Sequence, residues 1–311
     1  MKKTFLSSVL HFILAVIILL IVLNAGVFIY SYLQDGHPSL FSPAGQGGNA
    51  DFSGLHSRNM ILVNLDSGEE LAQQNSDERI YPASMTKMMT AILAIEYTSD
   101  LDEWTTMPED IYSKLYIQDA SMAGFEAGES VSYRDVLYGI LLPSGCECCE
   151  AFAEWISGSE EAFVDLMNQK AQDLNMTNTH FANATGLHQD DHYTTVRDLS
   201  LLLQYALDNA DFREVFTSRY HSTYSSDFHP GGFTIRSTLF DSLDKIDASY
   251  SYILGGKTGY TQYAGLCLAS LASVDGTNYI IVSANADGNH DTDPHHVQDH
   301  LTVYSRLAAN Q

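Results

Sequence analysis

Three short sets of residues have types and spacings that could carry out chemistry on an acyl group. In the first, Ser84 and Lys87 lie three positions apart at the start of a predicted helix. Three residues make almost one helical turn, so the two side chains share a face. A serine hydroxyl is a weak nucleophile until a base takes its proton, and a buried lysine can be that base. Alone the pair is weak evidence, because most such pairs are a helix cap and a surface lysine.

The second and third sets follow later in the chain. Ser144-Gly145-Cys146 comes after an apolar run, and Lys257-Thr258-Gly259 comes before a predicted strand. The lysine and threonine of the third set offer a cation and a hydroxyl to a carboxylate. As isolated tripeptides both are typical of loops, so it is the combination of the three sets that indicates a site.

In this order the three sets resemble the signature of the penicillin-binding proteins and class A β-lactamases. Longer stretches bring the resemblance closer to the low-molecular-mass D-alanyl-D-alanine carboxypeptidases, serine peptidase family S11. These stretches are 79–88 at the nucleophile, 158–168 beyond the second set and, with gaps, 178–198. The resemblance runs from about Leu55 to Ala286.

The resemblance implies an acyl-enzyme mechanism with no cofactor and no metal. Ser84 would be the acylated nucleophile, Lys87 its general base, and Ser144 a proton relay to the leaving group. The implied substrate is a peptidoglycan peptide that ends in D-Ala-D-Ala, and β-lactams would acylate the same serine as inhibitors. The implied substrate-binding residues are Lys257, Thr258, Gly259, Tyr260 and Cys146.

Within that set the resemblance implies two kinds of contact. Lys257 and Thr258 would hold the terminal carboxylate of the substrate. The backbone N–H groups of Ser84 and Tyr260 would form an oxyanion hole.

Cys146 departs from the family pattern, which has Asn or Asp at this position. A thiol is a weak donor and a weak acceptor, so it replaces an amide only in part. Either the site works with a gap in its polar shell, filled by water or by Glu147, or turnover is lost. The other motif residues are all present, which favours a working site with Cys146 beside Lys87 and Lys257.

The predicted elements that must position these residues indicate an α+β fold, and the resemblance implies that it is of the DD-peptidase and β-lactamase type. One antiparallel sheet is expected from both ends of the chain, with a helical insert between them. Strands are predicted at 59–65, 250–254, 264–272 and 279–284. Helices are predicted at 85–97, 133–142, 147–156, 160–174, 195–207 and from residue 294.

The N-terminal segment predicts a membrane anchor. Residues 12–32 are almost wholly apolar, and as a helix they would span ~30 Å, the thickness of a bilayer core. With Lys2 and Lys3 before it, we expect 1–34 to be a cytoplasmic tip and single-pass transmembrane helix of the cell membrane. A flexible linker, 35–54, and a catalytic domain, 55–311, would follow on the extracytoplasmic side. A cleaved signal peptide and a buried core helix are the alternatives.

Composition excludes other classes. The formal net charge of −24 argues against binding nucleic acid through a basic surface. Four cysteines are too few for a disulfide scaffold, and we expect free buried thiols. Histidines at 188, 192, 290, 295 and 296 have metal-like spacing, but we expect no zinc, which needs three or four converging ligands.

Two alternative functions stay open at this point. The first is a β-lactamase on the same fold, whose class A members use a glutamate to activate the deacylating water. Glu160 and Glu161 fall in a helix that matches the family, so neither is a convincing counterpart. The second is a non-catalytic penicillin-binding sensor, which needs a signalling partner, and the tip before the apolar segment is only a few residues long.

Overall fold

The computed structural model describes residues 51–246 and 251–309. The predicted anchor at 1–34 and most of the predicted linker therefore lie outside the described residues. Within the described ranges, no helix combines the length and the hydropathy that a membrane crossing requires.

The described residues form helices and strands, with strands towards both ends and most of the helices between them. The strands are β1 (Asn59–Asn64), β2 (Glu70–Gln74), β3 (Trp104–Thr106), β4 (Ser130–Ser132), β5 (Tyr220–Ser222), β6 (Thr234–Arg236), β7 (Ile253–Thr261), β8 (Gly265–Val274) and β9 (Thr277–Ala286). The α-helices are α1 (Lys87–Tyr97), α2 (Tyr112–Ile117), α3 (Tyr133–Leu141), α4 (Cys146–Ser157), α5 (Glu160–Asp173), α6 (Val196–Leu207), α7 (Ala210–Thr217), α8 (Thr238–Leu243) and α9 (His295–Ala309). A 3₁₀ helix, Ala83–Thr86, leads directly into α1.

Five strands form one antiparallel sheet in the order β2-β1-β9-β8-β7. β1 pairs with β9 in a register that places Asn59 opposite Ala284. Strands from both ends of the domain therefore share one sheet, and most of the helices come from the chain between them, which confirms the predicted fold class. β7 lies at the edge of the sheet, so one side of its backbone faces away from the other strands.

The sheet has a hydrophobic core on each face. Because side chains alternate along a strand, β8 contributes to both cores, with Cys267 and Ala269 on one face and Leu268 and Ala272 on the other. The first core holds α1, which is apolar nearly all round and is buried from residue 87 to residue 95. The second core packs under α8 and α9.

The third set, Lys257-Thr258-Gly259, lies inside a strand, whereas the sequence analysis placed it before a strand. The predicted strand at 250–254 starts too early, and the observed β7 runs on through Lys257 to Thr261. Gly255 and Gly256 cause the error, since glycines suggest a loop. Here they allow close packing instead: an added Cβ at Gly255 would lie 2.2 Å from the Phe216 carbonyl oxygen.

Candidate active site

Ser84 lies in a tight turn that two glycines make possible. It sits in the 3₁₀ helix, after Ala83, whose φ is 47°. Gly186 packs against this turn so closely that an added Cβ would lie 2.0 Å from the Ala83 carbonyl oxygen. Gly259 of β7 approaches from another direction, where a Cβ would lie 3.1 Å from the Ser84 nitrogen. The close contact brings the backbone N–H of Ser84 to the edge strand.

Lys87 is fully buried, and its amine has three hydrogen-bond partners, one of which is the Ser84 hydroxyl. Its Nζ atom lies 3.1 Å from Ser84 Oγ and 3.4 Å from Cys146 Sγ. It also donates to the Thr185 carbonyl oxygen at 2.6 Å. Burial and three partners fix the amine beside the serine hydroxyl.

The protonation of Lys87 depends on its neighbours. Burial acts to lower the pKa of Lys87, while negative charge on Cys146, Cys149 or Glu147 acts to raise it, and the net direction is upward. Burial also raises the pKa of the Cys149 thiol well above its ordinary range, so that thiol is uncharged near neutral pH. Among the neighbours that raise the pKa of Lys87, Cys146 has the largest effect and is in direct contact with Nζ.

Ser144 has a backbone and a side chain that fit a functional role. Its φ of 72° is uncommon for a residue other than glycine. Its Oγ atom is buried and has no hydrogen-bond partner among the described residues. A buried hydroxyl without a partner is costly unless a ligand or water completes it, so Ser144 is poised to bond a substrate.

A loop at 119–124 supports the Ser144-Gly145-Cys146 motif through hydrogen bonds. The sequence analysis did not identify this loop. Ser121 Oγ donates to the Ser144 carbonyl oxygen at 2.6 Å. Glu147 Oε1 accepts from the N–H groups of Ala123 at 2.6 Å and Gly124 at 2.9 Å. Glu147 thus holds the loop, so its Oε1 is not the atom that completes the polar shell beside Cys146. The loop carries no motif, so only its contacts with Ser144 and Glu147 reveal it.

Lys257 and Thr258 differ in their access to the cleft. Lys257 is fully buried and its Nζ donates to the Thr258 carbonyl oxygen at 2.9 Å. Burial, with the nearby Lys87 charge as the second cause, lowers the pKa of Lys257 to about 7. The Thr258 hydroxyl lies 2.6 Å from that of Thr238 and faces the cleft. Thr258 therefore offers a hydroxyl to the cleft. Lys257, behind the residues that line the cleft, offers an amine with a lowered pKa.

These elements enclose a cleft of about 700 Å³. Seven of the eight predicted site residues line it; the eighth, Lys257, lies behind the wall. The seven are Ser84, Lys87, Ser144, Cys146, Thr258, Gly259 and Tyr260. Asp119, Ser121, Thr185, Leu187, Asp241, Lys245 and His290 are among the lining residues that the sequence analysis did not select.

The histidines with metal-like spacing, and the cysteines, are characterised by their contacts and burial. Burial lowers the pKa of His192 to about 3, and its ring bonds Thr86 Oγ1 through Nε2 at 2.7 Å. His295 stacks on His56 with 4.0 Å between ring centroids. Among the described residues, no cluster of three or more histidine, cysteine, aspartate or glutamate side chains could hold a metal ion. All four cysteines are buried free thiols.

We predict that Cys146→Asn moves the acid limb of the pH–rate profile for acylation by penicillin to lower pH. The substitution removes a group whose negative charge raises the pKa of Lys87, and the neutral amine is the form that can accept the Ser84 proton. Stopped-flow measurement of the acylation rate from neutral to alkaline pH, where a lysine with a raised pKa loses its proton, tests this. Cys267→Ala, buried in β8, is the matched control and should keep the parent profile. An unmoved acid limb in Cys146→Asn would contradict the coupling.

The fold and the site together define the superfamily of DD-peptidases and β-lactamases: a serine–lysine pair opens a buried helix, and Lys-Thr-Gly lies on the adjacent edge strand. The family model of the D-alanyl-D-alanine carboxypeptidases, peptidase family S11, matches residues 47–288. The chain therefore belongs to the D-alanyl-D-alanine carboxypeptidase family, which confirms the resemblance seen in the sequence.

Curated relatives and solved structures agree with this family assignment. D-alanyl-D-alanine carboxypeptidase DacF of Bacillus subtilis is 34% identical over 221 residues, covering 69% of this chain and 54% of that protein. The carboxypeptidase of Streptomyces sp. K15 is 30% identical over 225 residues, covering 70% of this chain and 77% of that protein. The crystal structure of the Streptomyces K15 DD-transpeptidase aligns with a TM-score of 0.73 at 25% identity, covering 83% of this chain and 98% of that one. The chain spans about half the length of DacF.

Proposed function

We propose that this protein is a serine-type D-Ala-D-Ala carboxypeptidase that removes the terminal D-alanine from peptidoglycan stem peptides. The observation that carries the proposal is the buried Lys87 amine, 3.1 Å from Ser84 Oγ, at the floor of an open cleft. A serine becomes a nucleophile when such a base is in hydrogen-bond reach. Family membership gives the substrate class.

In the proposed reaction, the small neutral fraction of Lys87 takes the Ser84 proton as Oγ attacks the carbonyl carbon of the penultimate D-alanine, since the neighbours of Lys87 hold its pKa above the ordinary value. The N–H groups of Ser84 and Tyr260 stabilise the developing oxyanion. Ser144 Oγ passes the proton to the leaving amine, and free D-alanine departs. Water then hydrolyses the ester on Ser84, with Lys87 again accepting a proton, and the serine is restored.

The proposed carboxylate contacts fix the direction of the substrate. The terminal carboxylate would lie at the Thr258 hydroxyl, with the Lys257 charge behind it. The scissile carbonyl would lie two residues further along β7, at the Tyr260 N–H. The peptide would therefore run antiparallel to the edge strand, as a strand added to a free sheet edge does.

Release of D-alanine from a peptide that ends in D-Ala-D-Ala tests the function. We expect stoichiometric D-alanine and tripeptidyl-D-alanine products, with no cleavage when the last residue is L-alanine. One solved neighbour is named a DD-transpeptidase, so glycylglycine is added in a parallel reaction to reveal transfer to an amine in place of hydrolysis. No release and no transfer would overturn the proposal.

The β-lactamase alternative gains no support from the position of its candidate glutamate. Glu160 Oε1 accepts from the Ala184 N–H at 3.1 Å, and its other oxygen contacts Lys114. Among the described residues that line the cleft, none is a glutamate. Slow release of bound penicillin, rather than rapid turnover, is therefore expected. Peptide turnover in the same assay would exclude a sensor without catalytic activity.

We also propose that residues 12–32 anchor the protein as a single-pass helix and place the catalytic domain outside the cytoplasm. Support comes from the apolar length of the segment and from Lys2 and Lys3 before it. Removing residues 1–34 should therefore yield protein that remains in the supernatant after ultracentrifugation and still binds penicillin. The full chain should sediment with membranes and resist extraction by high salt. Misfolding of the shortened protein would instead make the segment part of the core.

A further inference from the structure

The main chain at 183–187 forms part of the cleft wall and carries an acceptor for the proposed base. Three of its residues line the cleft: Thr185, Gly186 and Leu187. The Thr185 carbonyl oxygen accepts from Lys87 Nζ at 2.6 Å, which is the shortest of the three contacts of that amine. The position of this carbonyl therefore helps to determine the position of the Lys87 amine.

Asn183 gives this segment its shape from within. Its Oδ1 atom accepts from the N–H groups of Thr185 at 3.2 Å and Gly186 at 2.7 Å, and from the Thr185 hydroxyl at 3.2 Å. Its Nδ2 atom donates to the Leu187 carbonyl oxygen at 2.9 Å. All these partners belong to the segment itself, so the bonds fix its conformation but do not attach it to the rest of the domain.

Two helices hold the segment in place through the backbone of Ala184. Glu160, the first residue of α5, accepts from the Ala184 N–H with its Oε1 atom at 3.1 Å. Thr90 of α1 donates from its hydroxyl to the Ala184 carbonyl oxygen at 2.6 Å. Both backbone groups of Ala184 are thus bonded, one residue before the carbonyl that Lys87 contacts.

The Glu160 carboxylate is itself held from behind. Its Oε2 atom contacts Lys114 Nζ, and the same amine lies 3.0 Å from Glu150 Oε1. The Glu160 side chain is 20% exposed and does not line the cleft. An ionised acceptor makes a stronger hydrogen bond than a neutral one, so this carboxylate is a firm anchor for a backbone N–H.

We propose that Glu160 is a positioning residue for the base. Its carboxylate holds Ala184, and through Ala184 it holds the Thr185 carbonyl against the Lys87 amine. This inference rests on the proposed function, which makes Lys87 the base. Because Glu160 does not line the cleft, it acts on the rate of Ser84 acylation and not on the binding of the ligand.

Stopped-flow acylation by penicillin over a range of concentrations tests the inference, since it separates the saturating rate from initial binding. In Glu160→Ala we expect the saturating rate to fall by roughly 10- to 100-fold, as a small misplacement of a reacting group does, with initial binding little changed. Glu160→Gln keeps an oxygen for the Ala184 N–H and should retain most of the parent rate. Glu161→Ala removes an exposed carboxylate from the same helical turn and is the matched control.

The pH profile separates positioning from a general loss of stability. A carbonyl oxygen binds the charged form of Lys87 more strongly than the neutral form, so displacement of Thr185 lowers the pKa of the amine. The acid limb of the acylation rate should therefore move to lower pH, and further in Glu160→Ala than in Glu160→Gln, which loses the same charge. Both variants retain the other titratable groups that interact with Lys87, which are Cys146, Glu147, Cys149, His192 and Lys257.

Thr90→Val tests the same link from the other side of Ala184 and replaces Glu160→Ala if that variant does not fold. It should lower the rate and move the acid limb in the same direction, whereas Thr90→Ser keeps the hydroxyl and should not. A parent that is acylated but releases no D-alanine would overturn the proposed function and leave this inference standing. A parent rate and acid limb in the folded variant, or an equal loss in Glu160→Gln, would overturn the inference.

Discussion

Ser84→Ala is expected to abolish covalent labelling by penicillin and to lower peptide hydrolysis by on the order of 10⁴-fold or more. The variant lacks the only atom that forms the acyl bond, while the turn around it needs no change because alanine fits wherever serine does. Labelling is read by mass spectrometry of the intact protein and by D-alanine release. Ser305→Ala, on the exposed face of α9, is the matched control and should label fully.

Lys87→Ala should be nearly as damaging, since nucleophile and base act as a unit. It removes the amine that lies 3.1 Å from Ser84 Oγ. Persistent labelling of Ser84→Ala would place the nucleophile elsewhere. Labelling of Lys87→Ala at the parent rate would assign the base to another group.

Lys257→Met is expected to remove the preference for a substrate with a free terminal carboxylate. Methionine is an uncharged side chain of similar length, so it fills the buried position without leaving a large cavity. We expect kcat/KM for the acid to fall by about 30- to 150-fold, since a hydrogen bond to a charged group contributes ~2–3 kcal/mol. A peptide with an amidated terminus, a poor substrate for the parent, should change little.

The lowered pKa of Lys257 predicts that KM for the acid substrate depends on pH. With a pKa lowered to about 7, Lys257 is charged below neutrality and loses its charge as pH rises through that value. In the parent, KM for the acid should therefore rise above about pH 7, while KM for the amide stays level. In Lys257→Met neither should rise. A parent KM for the acid that stays flat with pH would mean that another cation holds the carboxylate.

Motif order and spacing were sufficient to predict residues that the fold brings together at one cleft. Seven of the eight line one cleft, although they come from three separated stretches of chain. The start of α6 also agrees with its sequence, in which Thr195 precedes Asp198 by three residues as in a helix cap: Thr195 Oγ1 accepts from the Asp198 N–H at 3.0 Å. Such signals are local, because hydrogen bonding and helical turns act over three or four residues.

The parts that could not be predicted depend on distant contacts. Gly255 and Gly256 look like loop residues until Phe216 and β8 are known to pack against them. The loop at 119–124 has no pattern of its own, and its role comes from the Glu147 and Ser144 contacts. Lys257 lies fully buried behind the cleft wall, and burial of this kind depends on packing that a tripeptide pattern does not encode.

The pairing of β1 with β9 also bears on when the protein acquires activity during its synthesis. Asn285 donates to Asn59 across 226 positions of the chain. Contacts of such long range form slowly, because closing a large loop costs entropy before the contact offsets it. Helices α1 to α7 can form while the ribosome is still translating, but the serine turn gains its edge strand only when β7 arrives. A ribosome-bound chain that stops before β7 would thus hold its proposed nucleophile and base without the edge strand that supplies the Tyr260 N–H.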